Sequence, residues 1–234
     1  MLERPDISFF CPVHNEEGNL ERTVANFAEA LQRYAGAFEI VIIDDGSSDA
    51  TGRIADRLAE RNDLVKVVHH PASRGYGAAL RSGFAHATRY GHVFYTDGDG
   101  QFNGSDLGEL LRVADGTNVV VGYRLRRRDG LHRKVQSWVY RTLVGTVFGM
   151  QVRDVNCSMK LIPRRALDAI DLRSDSFFID AELLLRLRDA GFRIDEVGVH
   201  HFPRRAGRSS GTNLRFIVAT IREAVRHRMQ NRGR

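Results

Sequence analysis

Short apolar segments alternate with amphipathic helical stretches through the first half of the chain, and that alternation restricts the fold more than any other feature. Residues 7–11 form an apolar run that ends at Pro12. In NEEGNLERTVANFAEALQRY, Leu20, Val24, Phe27, Ala28 and Leu31 then recur at helical spacing behind an acidic first turn. FEIVII (38–43) reads as a second strand, and Ser48 or Asp49 is placed to cap a helix through Arg61. Residues 64–68, 93–96 and 118–122 read as further strands, with helices over 75–90 and 106–114 between them. A mainly parallel central sheet with helices on both faces, of the α/β class and Rossmann-like, follows from this order. The second half is less regular. NCSMKLIP and RIDEVGVHHF suggest strands, FFIDAELLLRLRDAG a helix stopped by Gly191, and the tail from Leu214 a basic amphipathic helix.

In sheets of this kind ligands sit at the carboxyl ends of the strands, and three polar clusters fall there. DGDGQ places Asp97 and Asp99 two residues apart after a strand, with Gln101 adding an amide oxygen. Oxygen donors so spaced suit a hard cation such as Mg²⁺ or Mn²⁺, although Gly and Asp are also ordinary turn formers. DDGSSDATG delivers Asp44 and Asp45, adjacent carboxylates that repel unless a positive or hydrogen-bonding group compensates them. A carboxylate there can accept from ribose hydroxyls or base N–H groups; Ser48 and Asp49 read rather as helix caps. In RGYGAALRSG, Gly75 and Gly77 before a helix would let backbone approach a phosphate, with Arg74 supplying charge. Close packing by Gly and Ala explains that segment nearly as well. Leu80 stands where the dinucleotide fingerprint needs a third glycine, which disfavours a nicotinamide oxidoreductase.

Taken together, the order and spacing of these clusters resemble the family 2 nucleotide-sugar glycosyltransferases of GT-A fold, nearest to the polyprenyl- or dolichyl-phosphate sugar synthases. The resemblance runs from about residue 7 to 210. CPVHNEEGNL is similar to the opening nucleotide-binding strand and loop, DDGSSDATG to the acidic turn that contacts the nucleotide, and DGDGQ to the DxD metal site. VGYR resembles the segment ending in an arginine near the acceptor phosphate. RDVNCSMKLIPRRAL, DAELLLRLRDAGFRIDEVGV and FPRRAGRSS resemble acceptor-side elements. Ser73 departs from the usual asparagine before the glycine loop, and His14 from the more common residues at its place.

The resemblance implies an inverting hexosyltransferase using a GDP-mannose or UDP-glucose type of donor. Pro12, Val13, Asn15, Glu16, Asp44, Asp45, Arg74, Gly75, Asp97 and Gly98 would hold the nucleotide sugar. The metal set would be Asp97, Asp99 and Gln101, with Asp99 and Gln101 nearest the ion. It also divides the chain into a GT-A domain over 1–211 and a C-terminal basic helix over 212–234. Within that domain, 1–123 would serve nucleotide and metal, and 124–211 the acceptor. Catalytic roles fall to Asp99, Arg124 and Asp180. Asp180, or Glu182 close by, would be general base if the acceptor were a saccharide hydroxyl. A lipid phosphate is already anionic and needs cationic positioning instead.

Charge sharpens the acceptor side. The net charge of +6 is a sum of −7 over residues 1–123 and +13 over residues 124–234, so the two halves face different partners. Arg124, Arg126, Arg127, Arg128, Arg133 and Lys134 cluster after the fifth strand, and Arg204, Arg205 and Arg208 after the last, with Ser209 beside them. Arg124, Arg133, Arg204, Arg205 and Ser209 are the candidates for an acceptor phosphate. Next to the apolar 135–150 segment and the basic tail, they read as a headgroup clamp on a membrane surface. No recognition motif or interleaved stacking aromatics support nucleic acid, so a non-catalytic nucleotide- or nucleic-acid-binding module is a remote alternative. No apolar run reaches the ~18–20 residues that span a bilayer, and MLERPDISFF lacks the apolar core of a signal peptide. A cytoplasmic protein, peripheral on the inner membrane face, is expected. Cys11 and Cys157 sit in apolar segments and read as buried thiols.

Overall fold

A computed structural model of the chain describes residues 2–125, 145, 149–204 and 206. Arg126, Arg127, Arg128, Arg133, Lys134, Arg205, Arg208, Ser209, nearly all of the apolar 135–150 segment and the basic C-terminal tail lie outside the described residues.

Strand β1 (Ile7–Val13) shows how the sequence sets the layers. Its alternate residues Ile7, Phe9, Cys11 and Val13 pack into one buried cluster, and Phe10 into another on the opposite face. A strand apolar on both sides must be covered on both. On the first face lie α1 (Leu20–Tyr34), α2 (Thr51–Arg61) and α4 (Leu107–Val113). The second is covered by α3 (Tyr76–His86), α5 (Arg164–Asp168) and α6 (Ile179–Asp189). Rings lock the layers: Phe9 stacks on Phe27 of α1 at 5.0 Å, and Phe10 meets Phe84 of α3 edge-on at 5.0 Å.

The remaining strands are β2 (Phe38–Asp44), β3 (Val65–His69), β4 (His92–Tyr95), β5 (Val119–Arg124), β6 (Lys160–Pro163) and β7 (Ile194–Val199). Among the described residues they form one seven-stranded sheet in the order β3-β2-β1-β4-β6-β5-β7. β1 pairs in parallel with β2 and β4, β2 with β3, and β5 with β7. β6 runs antiparallel between β4 and β5. The mainly parallel α/β sheet expected from the sequence is the observed one.

Boundaries shift where local chemistry outweighs periodicity. β1 continues through Pro12, which the sequence marks as its end. Pairing with β4 stops at Phe10 opposite Tyr95, so the missing N–H of Pro12 breaks no ladder there, and β2 still pairs with the strand as far as Val13. Helix α3 ends at His86 rather than near Tyr90, because Arg89 N–H donates to Glu39 Oε1 and Tyr90 N–H to Ser8 Oγ, drawing the chain into β4. Cys11 and Cys157 are buried free thiols, as expected; burial, the larger cause, pushes each up to about 12.

Gly83 on α3 lies so close to β1 that a Cβ there would overlap the Phe10 ring. Glycine to alanine in a helix interior normally gains about 1 kcal/mol. Here Gly83→Ala should instead lose about 1–3 kcal/mol of unfolding free energy by overpacking, read from urea denaturation; a gain would contradict the packing described.

Candidate active site

The turns after β1 and β2 are built as one unit. Asn15, at a left-handed φ of 56°, accepts from Ser48 N–H at 2.8 Å and donates its own N–H to Ser47 Oγ at 2.9 Å. Glu17 accepts from Ala50 N–H at 2.9 Å. Asp49 accepts from Thr51 N–H at 2.9 Å and from its hydroxyl, so it holds the first turn of α2. Ser48 turns to Asn15 instead.

Asp44 and Asp45 meet the compensation their adjacency requires. Asp44 accepts from Ser47 N–H at 3.1 Å and His69 Nδ1 at 2.9 Å, while His69 Nε2 reaches Asp56 at 2.9 Å. Asp45 takes four donors: His70 Nδ1 at 2.6 Å, Ser73 Oγ at 2.8 Å, Arg74 N–H at 2.9 Å and Gly75 N–H at 3.0 Å. Burial works to raise its carboxyl, yet these bonds together hold it below the usual range. Asp45 is therefore the post around which the 70–75 loop is wound, and Ser73, the departure from the family pattern, is one of its ties. Arg74 contributes its backbone to that loop while its side chain stays exposed. The glycines before α3 also have a packing reason. Gly75 has φ +94°, and a Cβ on Gly77 would meet the Ser174 carbonyl oxygen at 2.5 Å. Gly77 N–H donates to Asp175 O at 3.1 Å, so the 174–175 loop takes up the approach that the sequence offers to a phosphate.

Asp97 and Asp99 follow β4. Gly98 N–H donates to Pro12 O at 3.1 Å, tying this turn to the end of β1 and bringing Pro12, Val13, Asp97 and Gly98 together. Asp97 is half-buried, with its Oδ1 shut off from solvent and unpartnered. Burial first, then the charges of Asp99 and Asp180, push its carboxyl up to about 7, against the hydroxyls of Ser158 and Tyr76. Asp99 accepts from Gln101 N–H at 3.1 Å and from Arg204 Nη2 at 3.1 Å. Arg204 Nη1 lies 2.5 Å from Glu16 Oε1, so one guanidinium bridges the two carboxylates. Gln101 donates its amide to Phe202 O at 2.9 Å. No group of three or more His, Cys, Asp or Glu poised for a metal occurs among the described residues. The donor set nevertheless fits a hard cation. Asp97 brings an unpartnered carboxylate oxygen and Asp99 a second carboxylate, both of the oxygen type Mg²⁺ and Mn²⁺ prefer.

Asp180, at the start of α6, is buried and accepts from Lys160 Nζ at 2.6 Å and Tyr95 hydroxyl at 2.8 Å. Lys160 on β6 is fully buried and also donates to Cys157 O at 2.6 Å. Glu182 accepts from Ser174 N–H at 2.8 Å and from Arg186 Nε at 2.7 Å, so it fixes the loop that packs on α3. Arg124 makes a two-pronged contact with Asp154, at 2.6 and 2.8 Å. The Arg204 guanidinium lies between Glu16 and Asp99, whereas that of Arg124 lies on Asp154. Sequence reasoning passed over Lys160, Tyr95, Ser158, His69 and His70. Lys160 carried a readable signal, a lysine inside an apolar strand that needs a buried partner.

A doubly covered parallel sheet with one inverted strand and a DxD turn at its carboxyl edge defines the GT-A fold. The family model described as Glycosyl transferase family 2 matches residues 8–171, and the chain belongs to that family. Polyprenol monophosphomannose synthase of Mycolicibacterium smegmatis is 30% identical over 230 residues, covering 91% of this chain and 84% of that protein. Glycosyltransferase AglD of Haloferax volcanii is 34% identical over 209 residues, 85% of this chain. Dodecaprenyl-phosphate galacturonate synthase of Rhizobium johnstonii is 30% identical over 220 residues, 91% of this chain. The chain spans 33% of the Haloferax protein and 64% of the Rhizobium protein. Among solved structures, glucosyl-3-phosphoglycerate synthase from Mycobacterium tuberculosis in complex with Mn²⁺, uridine diphosphate and phosphoglyceric acid shares the fold. It has a TM-score of 0.70 at 20% identity, over 94% of this chain and 76% of that one.

The crowding at Asp97 gives a pH prediction. Its carboxyl rises from the ordinary 3.8 to about 7 in the folded chain, so ionised Asp97 opposes folding increasingly between those two values. Asp97→Asn should raise the melting temperature relative to the parent by an amount that grows from pH 5 to pH 7 and levels off above. A difference independent of pH would contradict the buried, charge-crowded carboxylate.

Proposed function

We propose that the chain transfers one hexose from a GDP- or UDP-linked sugar to a polyprenyl phosphate, with inversion, at the cytoplasmic face of a membrane. The observation that carries the acceptor assignment is the state of Asp180. Two partners, Lys160 and Tyr95, take the carboxylate that a hydroxyl acceptor would need as base. An anionic phosphate needs no such base, since it arrives deprotonated and only has to be held. The relatives agree in kind: the Mycolicibacterium and Rhizobium proteins are named for a polyprenol and a dodecaprenyl phosphate.

Breaking the sugar–diphosphate bond puts negative charge on the leaving nucleotide. Asp97 and Asp99, with Gln101 beside them, would hold the divalent cation, whose bound form supplies positive charge at that diphosphate. The joined turns of Asn15, Glu16 and the 44–51 segment form the wall for the nucleoside, with Asp44 and Asp45 as its rigid backing. Asp154 holds the Arg124 fork at the end of β5, oriented before substrate arrives, which suits a residue meant to meet a phosphate. Among the described residues no helix is long and apolar enough to cross a membrane. The basic 126–134 run and the basic tail are assigned to peripheral attraction to anionic lipid.

Two measurements test this reading. A panel of nucleotide sugars with Mn²⁺ should release nucleoside diphosphate only when polyprenyl phosphate is present; release that ignores the lipid would remove the acceptor assignment. Replacing the buried pair together, Lys160→Met with Asp180→Asn, avoids stranding one charge and should keep kcat within about tenfold. A loss of about 10²–10⁴-fold, the usual worth of a general base, would favour a saccharide hydroxyl as acceptor.

A further inference from the structure

The segment after β7 runs across the carboxyl edge of the sheet and is fastened at four successive places. His200 N–H and Nδ1 meet Asp106 at 2.7 and 2.8 Å. Phe202 N–H donates to Gln101 O at 2.8 Å, and Phe202 O accepts from the Gln101 amide at 2.9 Å. Arg204 then reaches between Glu16 and Asp99, and Ala206 O accepts from Asn19 Nδ2 at 3.1 Å. Gly18 leaves room for Ala206, since a Cβ there would lie 2.8 Å from the Ala206 Cβ. Residues 200–204, with Ala206, thus form a strap that sets a positive charge on the second aspartate of the DxD turn.

We infer that Arg204 is an internal counter-cation for Asp99, and that a divalent cation binds by displacing it and loosening the strap. The inference rests on the reading of Asp97 and Asp99 as the cation site. Glu16 and Asp99 lie close enough to share one guanidinium. Such a pair needs a positive partner whenever no metal is bound. The guanidinium supplies it with one N–H group on each carboxylate. Asp99 Oδ2 accepts from Arg204 while Asp99 Oδ1 faces the Gln101 backbone, so the oxygen offered to a metal is the one the arginine holds. Arg204 and a metal ion therefore compete for the same acceptor. Competition of this kind is reciprocal: the factor by which the strap weakens the metal equals the factor by which the metal weakens the strap.

The test measures Mn²⁺ alone, without nucleotide or lipid, by paramagnetic resonance or calorimetry. Arg204→Gln should bind Mn²⁺ about tenfold more tightly than the parent, within the usual span of such couplings, and Asp99→Asn should abolish binding. Mn²⁺ added to the parent should speed amide exchange at residues 202–206, and the gain should vanish in Asp99→Asn. If Arg204→Gln binds Mn²⁺ no better than the parent while Asp99→Asn still abolishes binding, the counter-cation role fails and the cation site stands. Slower or unchanged exchange in the parent equally overturns the displacement. If Asp99→Asn leaves Mn²⁺ binding intact, or neither parent nor Arg204→Gln binds it, the cation reading itself fails and the inference with it.

Discussion

Carboxylates crowd one edge of this sheet, and much of the surrounding structure answers to their repulsion. Glu16, Asp44, Asp45, Asp97, Asp99 and Asp180 all lie at or against the ends of β1, β2 and β4. Each of five has a cationic or hydrogen-bonding group directed at it: Arg204 for Glu16 and Asp99, His69 for Asp44, His70 for Asp45, Lys160 for Asp180. Asp97 keeps one sealed, unpartnered oxygen, and burial, with the charges of Asp99 and Asp180 added to it, raises its carboxyl to about 7.

The partners fall into two kinds. His70 and Lys160 are buried and fixed by further bonds, to Ser82 and to the Cys157 carbonyl. Their removal would strand a charge inside the protein, which is costly. Arg204 is partly exposed and arrives on a segment outside the sheet. It is the partner that can leave without breaking the core. The division separates carboxylates held by buried partners, Asp45 and Asp180, from those held by a partly exposed one, Asp99 and Glu16.

The sheet, its doubly covered faces and the position of the DxD turn were legible because alternating periodicity and strand-end polarity are local signals. The direction of β6 was not, since KLIP reads the same whichever way it pairs. Asp44 and Asp45 were legible as a pair in need of compensation, but the sequence could not show that His69 at the end of β3 and His70 just after it provide it. The departure at Ser73 found its reason only in a hydroxyl bonded to Asp45. The carboxylates that Arg204 meets were not legible either. A long arginine next to other arginines looks like part of their cluster, and its true partners lie 105 and 188 residues away.

β6 joins the two parts of the sheet. Strands β1 to β4 pair among themselves, and β5 pairs with β7, but among the described residues the two groups meet only through β6, which spans Lys160 to Pro163. A chain emerging from the ribosome can therefore close its first four strands well before β5 has anything to rest against. The ladder joining the two groups is complete only once residues 160–163 have been made and lie between β4 and β5. Because β6 runs opposite to its neighbours, the residue that enters first at the carboxylate edge is Lys160, already carrying the charge that lets Asp180 follow it into the interior.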